Sequence, residues 1–194
     1  TETAMDANTN ISARDAHRDS QLPAGGWPTQ RLRRLRRSAG LRRMVRETAL
    51  DPADFIYPMF VGHGVRVQDE ITSMPGVYRW SVDMLAPEVE SIARLGISGV
   101  MLFGLPADKD PVGRENFAAD GIVQQAVRAI KRAVPELLVA TDVCMCEYTD
   151  HGHCGVVDRR GRVDNDATLG LYRRVAEAQA AAGVDVVAPS GMMD

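Results

Sequence analysis

The sequence predicts an α/β fold built from repeating strand–helix units, and three observations predict it. Short apolar runs recur along the chain, and they are near-continuous rather than alternating. Strands buried on both faces look like this, as in parallel sheets covered by helices. Stretches with one apolar helical face separate the runs, which is the βαβ arrangement. A closed (β/α)8 barrel and an open doubly wound sheet both satisfy these patterns. No Gly-x-Gly-x-x-Gly follows the first strand and no Walker-type loop occurs, so the nucleotide-binding versions lose support. A full barrel takes about 250 residues. With 194 residues and about four visible strands, the chain reads as the first half of a barrel, ending just after a strand.

The elements follow in order. Residues 1–30 are polar and aperiodic, and they read as a flexible N-terminal extension. Residues 31–50 form a basic arm, with eight arginines between Arg31 and Arg46. Leu41, Met44 and Val45 recur at helical spacing, so Ala39 to Glu47 reads as a short basic amphipathic helix. Residues 51–194 carry the half-barrel. Phe55–Val61 is the first strand. Val82–Leu95 is a helix with Met84, Leu85, Val89, Ile92 and Leu95 on one face and Gly96 beyond its end. Gly99–Gly104 is the second strand. Gly121–Val134 is the next helix, closed by Pro135. Leu137–Val143 is the third strand, Asp166–Ala182 the third helix, and Val184–Pro189 the fourth strand. Pro75-Gly76 reads as a turn.

Composition bounds the function. Hydrophobic content of 45%, charge of 25% and a net charge of −3 are ordinary for a globular domain. No apolar run approaches the roughly 18–20 residues of a membrane span, so no membrane partner is expected. The first thirty residues lack the basic-then-apolar layout of a secretory signal. It starts at Thr1 rather than Met, and a natural beginning further upstream is expected. All three cysteines lie between Cys144 and Cys154. That is a poor disulfide framework and a good metal cluster, and it implies a reducing, cytoplasmic setting.

The chemistry concentrates in Thr141-Asp-Val-Cys-Met-Cys-Glu-Tyr-Thr-Asp-His-Gly-His-Cys-Gly155, which begins at the C-terminal end of the third strand. Barrel active sites lie on that face. Cys144 and Cys146 are two apart and would point the same way on an extended chain. Cys154 returns after a loop, so three thiolates can converge as a soft ligand set for Zn2+. Three ligands leave an open, catalytic position. A fourth from His151 or His153 would make the site structural. The competing readings are three small buried hydrophobes and a thiol redox site, though Cys-x-Cys is not the Cys-x-x-Cys of redox helices. The arginines also admit a nucleic-acid binder, but they lack interleaved aromatics, so no nucleic-acid partner is expected. His17 and His63 read as isolated surface residues. His151 and His153 could position the loop or move protons.

The cysteine loop resembles the metal loop of zinc-type 5-aminolevulinate dehydratases (porphobilinogen synthases). Other segments resemble the family in the same order: Leu41-Arg-Arg-Met-Val-Arg-Glu-Thr48, Tyr57-Pro-Met-Phe-Val61, Ser73-Met-Pro-Gly-Val-Tyr-Arg79, Leu102-Phe-Gly-Leu-Pro106, Asp164-Asn-Asp-Ala-Thr168 and Val187-Ala-Pro-Ser-Gly-Met-Met-Asp194. The likeness runs from about Arg31 to Asp194. It implies a TIM (β/α)8 barrel whose arm wraps a neighbouring subunit, commonly in a homo-octamer. It implies condensation of two 5-aminolevulinate molecules to porphobilinogen with loss of two waters, an early step of tetrapyrrole synthesis. By the resemblance, Cys144, Cys146 and Cys154 are zinc ligands, Asp142 is an active-site carboxylate that holds or deprotonates a substrate amine, and Ser190 lies near substrate. Read without the family, Asp142 could satisfy backbone donors at the strand end and Ser190 could cap a helix. Gly191 stands where many members have Asp. The resemblance further implies two Schiff-base lysines and an allosteric Mg2+ site beyond residue 194. Lys109 and Lys131 do not fit the lysine role. Lys131 reads as a solvated helix position, and Asp108 and Asp110 favour the charged form of Lys109. Without the Schiff-base lysines the chain alone is expected to lack turnover, and it is expected to fold poorly because an open half-barrel exposes strand edges and apolar faces.

Overall fold

The computed structural model describes residues 32–194. The extension read over residues 1–30, with His17, lies outside the described residues, as does Arg31. The described residues divide into two units, with the boundary between Ala49 and Leu50. In the first, Leu32–Arg36 form a 3-10 helix and Ala39–Met44 form helix α1. The Ser38 hydroxyl caps α1 by accepting from the Leu41 N–H at 3.1 Å. The helix stops three residues short of the Glu47 that its periodicity suggested. Its apolar Leu41, Met44 and Val45 are exposed.

The second unit holds strands β1 (Ile56–Gly62), β2 (Gln68–Glu70), β3 (Tyr78–Ser81), β4 (Gly99–Leu105), β5 (Leu138–Val143) and β6 (Val186–Pro189). Its helices are α2 (Leu85–Arg94), α3 (Ile122–Ala133) and α4 (Asn165–Ala182). The sheet order is β2-β3-β1-β4-β5-β6. β1, β4, β5 and β6 are parallel and stand in chain order. A doubly wound sheet reverses its order at a switch point. A barrel does not, and β1, β4, β5 and β6 run without reversal as barrel strands do, while the short β3 pairs on the other side of β1.

β2 and β3 were not legible as strands. β2 is three polar, exposed residues, so it offers no apolar run. It pairs antiparallel with β3, while β3 pairs parallel with the end of β1. The Pro75-Gly76 turn that joins them is present, with Gly76 at φ 82°. Val82–Met84, read as the first turn of α2, is a separate 3-10 turn. Leu95, placed on the apolar face of that helix by its spacing, is instead 66% exposed just past the helix end.

One face of the sheet is covered by α2, α3 and α4. Met59, Val61, Val100, Leu102 and Val139 from the strands meet Leu85, Val89, Val127 and Ile130 from the helices in one buried cluster. Burial of each such side chain stabilises by roughly 1.5–3 kcal/mol. The opposite face carries stacked Phe60 and Phe103, 5.4 Å between centroids, in register across β1 and β4. Asp142, one residue beyond the last β4–β5 register pair, alternates onto that same face. No described helix is long and apolar enough to cross a membrane.

Candidate metal centre

The site grows out of the C-terminal end of β5. Val143 points into a second apolar cluster with Met145, Tyr172 and Val175. The chain then turns at once. The N–H groups of Tyr148 and Thr149 both donate to the Met145 carbonyl at 2.9 Å. Cys144 and Cys146 therefore meet through a turn, not along the extended segment their spacing suggested. Their Sγ atoms are 3.3 Å apart.

Cys154 returns on a loop fastened at several points. The Thr149 hydroxyl donates to the His153 carbonyl at 2.9 Å. The Tyr172 hydroxyl donates to the Cys154 carbonyl at 2.8 Å. The Val156 N–H donates to Thr168 Oγ1 at 3.0 Å. As a result the Sγ atoms of Cys144, Cys146 and Cys154 all lie within 4.8 Å of one another. Three sulfurs around a tetrahedral ion at metal–sulfur distances near 2.3 Å stand about 3.8 Å apart. The group can hold a metal ion. Cys144 is buried, while Cys146 and Cys154 are partly open.

A carboxylate pair adjoins the thiols. Asp142, Cys144 and Glu147 also gather within 4.8 Å, and the Cys146 thiol donates to Glu147 Oε2 at 3.2 Å. Glu147 sits inside the motif, yet nothing in its spacing marked it as a site residue. Burial pushes the Asp142 carboxyl above the usual range. The neighbouring Ser190 hydroxyl opposes that rise and the charge of Glu147 adds to it. No backbone N–H donates to the Asp142 carboxylate among the described residues, so the bland reading of a strand-end cap gains no support. Burial, then the hydrogen bonds to Cys144 and Glu147, push the Cys146 thiol well up. Burial and the neighbouring Cys144 raise Cys154. Three thiols crowded with carboxylates resist ionising together, and a cation among them reverses that balance.

The other candidates fall as follows. Ser190 is exposed at the end of β6, and its N–H donates to the Val143 carbonyl at 3.4 Å. His151 and His153 are exposed and lie outside the ligand group among the described residues. His151 Nε2 is 3.3 Å from the Pro111 carbonyl, and its Nδ1 accepts from the His153 N–H at 3.1 Å. These are loop-positioning contacts. His63 is not isolated, because its Nε2 lies 2.6 Å from Glu115 Oε1. Lys131 is not a freely solvated position either. Its Nζ pairs with Asp185 Oδ2 at 2.5 Å and donates to the Leu137 carbonyl at 3.0 Å, at the opposite ends of the strands from the cysteines. Lys109 is exposed on the loop after β4.

Two buried amides support the site, and the sequence did not single them out. Asn116 Nδ2 donates to the Cys144 carbonyl at 2.6 Å. Gln179 Nε2 donates to the Asp142 carbonyl at 3.1 Å, while its Oε1 accepts from the Thr141 hydroxyl at 2.7 Å. The one available signal was position: Gln179 falls four residues after Val175 and seven after Tyr172, on the buried stripe of α4.

Comparison with known proteins identifies the family and the fold. Residues 29–194 match the family described as delta-aminolevulinic acid dehydratase. A delta-aminolevulinic acid dehydratase of Synechococcus elongatus is 56% identical over 171 residues, covering 87% of this chain and 52% of that relative. One from Streptomyces coelicolor is 51% identical over 173 residues, covering 88% and 52%. The crystal structure of the Toxoplasma gondii enzyme, a porphobilinogen synthase in complex with the reaction product porphobilinogen, superposes with a TM-score of 0.82 at 37% identity. It covers 86% of this chain and 48% of that one. The chain spans about half the length of the curated relatives just described. With matching residues from 29 to 194 and a shared half-barrel, this chain belongs to the delta-aminolevulinic acid dehydratase family.

Proposed function

We propose that this chain serves a porphobilinogen synthase, a hydro-lyase that condenses two 5-aminolevulinate molecules to porphobilinogen with release of two waters. One observation carries the reading: three thiols converge within 4.8 Å at the C-terminal end of β5, beside a half-buried carboxyl. Cys144, Cys146 and Cys154 would hold Zn2+, whose soft-ligand preference suits an all-sulfur set. A zinc ion bound there supplies Lewis-acid activation of a substrate carbonyl or amine.

The chain's own residues then have defined tasks. Asp142 faces the barrel interior with its ionised form disfavoured by burial. It binds a substrate amine and exchanges a proton with it, because a carboxyl lifted toward neutrality can both accept and return one. Ser190 neighbours Asp142 and offers a hydroxyl to the same substrate. Asn116 and Gln179 fix the backbone of Cys144 and Asp142, so these groups meet substrate already oriented. Neither lysine of this chain lies in a desolvated pocket fit for a Schiff base, so the lysines that the resemblance implies belong to the second half of the barrel.

The wider reading includes a homo-octamer assembled through the N-terminal arm, a cytoplasmic setting, and an allosteric Mg2+ whose ligands lie outside residues 1–194. The test is zinc stoichiometry together with porphobilinogen formation, on this chain and on one extended through the rest of the barrel. Zinc on both with product only from the extended chain supports the reading. Zinc without product from the extended chain favours a non-catalytic zinc module. Neither zinc nor product from the extended chain sinks the proposal.

A further inference from the structure

Tyr172 is nearly fully buried, at 7% exposure, on the stripe of α4 that faces the cysteine loop. Its ring packs with Val143, Met145 and Val175. A phenylalanine would fill that space equally well, so the ring alone does not account for a tyrosine. The hydroxyl donates to the Cys154 carbonyl at 2.8 Å and also lies beside the Cys144 thiol. It is the one partner of that carbonyl among the described residues. The loop tip before it, His151 to His153, is exposed. Cys154 is also the one cysteine of the three that must come back from a distant point in the chain.

Gly191 supplies the second, independent observation. Its backbone is not in the left-handed region, so conformation does not require glycine there. Space does. A Cβ at residue 191 would stand 1.7 Å from the Tyr172 hydroxyl and 2.7 Å from the ring carbon that bears it. The segment leaving β6 is thus cut to fit around this hydroxyl. Gly191 directly follows Ser190, which neighbours Asp142.

We infer that Tyr172 is a positioning residue for the cysteine centre: its hydroxyl sets the third thiol through the Cys154 carbonyl, and Gly191 is the socket that lets it do so. The end of β6 and the metal loop are thereby held in one register. This inference rests on the metal-centre reading above.

The test is titration of the reduced protein, extended through the rest of the barrel, with Co2+ in the absence of oxygen, following the thiolate-to-cobalt charge-transfer absorption. Tyr172→Phe keeps the ring and removes the hydroxyl. Gly191→Ala attacks the same contact from the other side. Both should weaken Co2+ binding by about ten- to a hundredfold, the usual effect of losing a group that orients a ligand, and both should shift the absorption band. Val175→Ala, a neighbour on the same stripe with no polar contact, should lower the melting temperature and leave the band where it is. Parent-like affinity and spectrum in Tyr172→Phe would overturn the inference, and so would an equal band shift in Val175→Ala. A parent chain that takes no Co2+ would instead sink the metal-centre reading, and this inference with it.

Discussion

Each of the three cysteines is held by a different part of the molecule. Cys144 follows β5 directly and is buried, Cys146 sits on the turn beside Glu147, and Cys154 hangs from α4. Cys144→Ala replaces the most buried thiol with a side chain small enough to leave the packing alone. It should lower zinc affinity on the order of a hundredfold or more, since a three-ligand site loses a large share of its binding energy with one ligand. Chelator competition measures this, and parent-like zinc retention would contradict the three-thiol centre. A different residue-scale constraint lies at Gly104. A Cβ there would come within 1.9 Å of the Tyr148 hydroxyl and 2.7 Å of Val123 Cγ2. Gly104→Ala should therefore destabilise by about 1–3 kcal/mol through overpacking, read from urea denaturation. The thiol cluster was legible in the sequence because metal chemistry restricts residue type and spacing, whereas Asp142 stood out only through the family resemblance. Tyr172, Gln179 and Asn116 were not legible, because a buried polar side chain within an apolar stripe has many possible partners, and only packing selects one.

At the scale of elements, α4 does more than cover the sheet. Gln179 bonds both the Thr141 hydroxyl and the Asp142 carbonyl at the end of β5. Gln179→Leu would leave both groups buried and unpaired, at a cost of about 1–3 kcal/mol for each. Thermal melting should show that loss, and zinc affinity should fall with it as the strand end loosens. Lower down, α3 is tied to the start of β6. Asp185 accepts from Lys131 and from the Val139 N–H at 2.8 Å. Burial alone would raise the Asp185 carboxyl, but Lys131 and the Val139 N–H outweigh it and hold it below the usual range. A carboxyl depressed in the folded state stabilises the fold above its unfolded value, near 3.9. That stability is lost as pH falls through the folded value. Acid unfolding of Asp185→Asn should accordingly be less steep below pH ~4 than that of the parent. At neutral pH the variant should be less stable by about 1–2 kcal/mol. Identical acid profiles for parent and variant would show that the pair contributes nothing.

For the molecule as a whole, the barrel half has one finished face and one open one. The helices cover the first. On the other, Ile56 is 59% exposed and Leu138 51% exposed. They line an apolar hollow of about 320 Å³ together with Met101 and Ala140. Exposed apolar surface of this kind binds the dye ANS. The chain should bind it strongly, and an extended chain carrying the rest of the barrel should not. Weak binding by the short chain would mean that another surface, such as that of a second copy, covers this face.

By itself the sequence determined the α/β class, the three long helices, the four parallel strands and the cysteine cluster at a strand end. These follow from local rules: a helix or buried strand writes its period into the chain, and a metal site needs particular ligands at particular intervals. Only the tertiary structure decided that Cys144 and Cys146 meet through a turn, that His151 and His153 stand aside from the sulfurs, and that Lys131 is spent on an ion pair. It alone revealed the short β2–β3 pair and the fit of Tyr172 against Gly191. Those outcomes depend on contacts between residues far apart in the chain, whose free energies are set by burial and by which partner lies within hydrogen-bonding distance, and no local pattern encodes either.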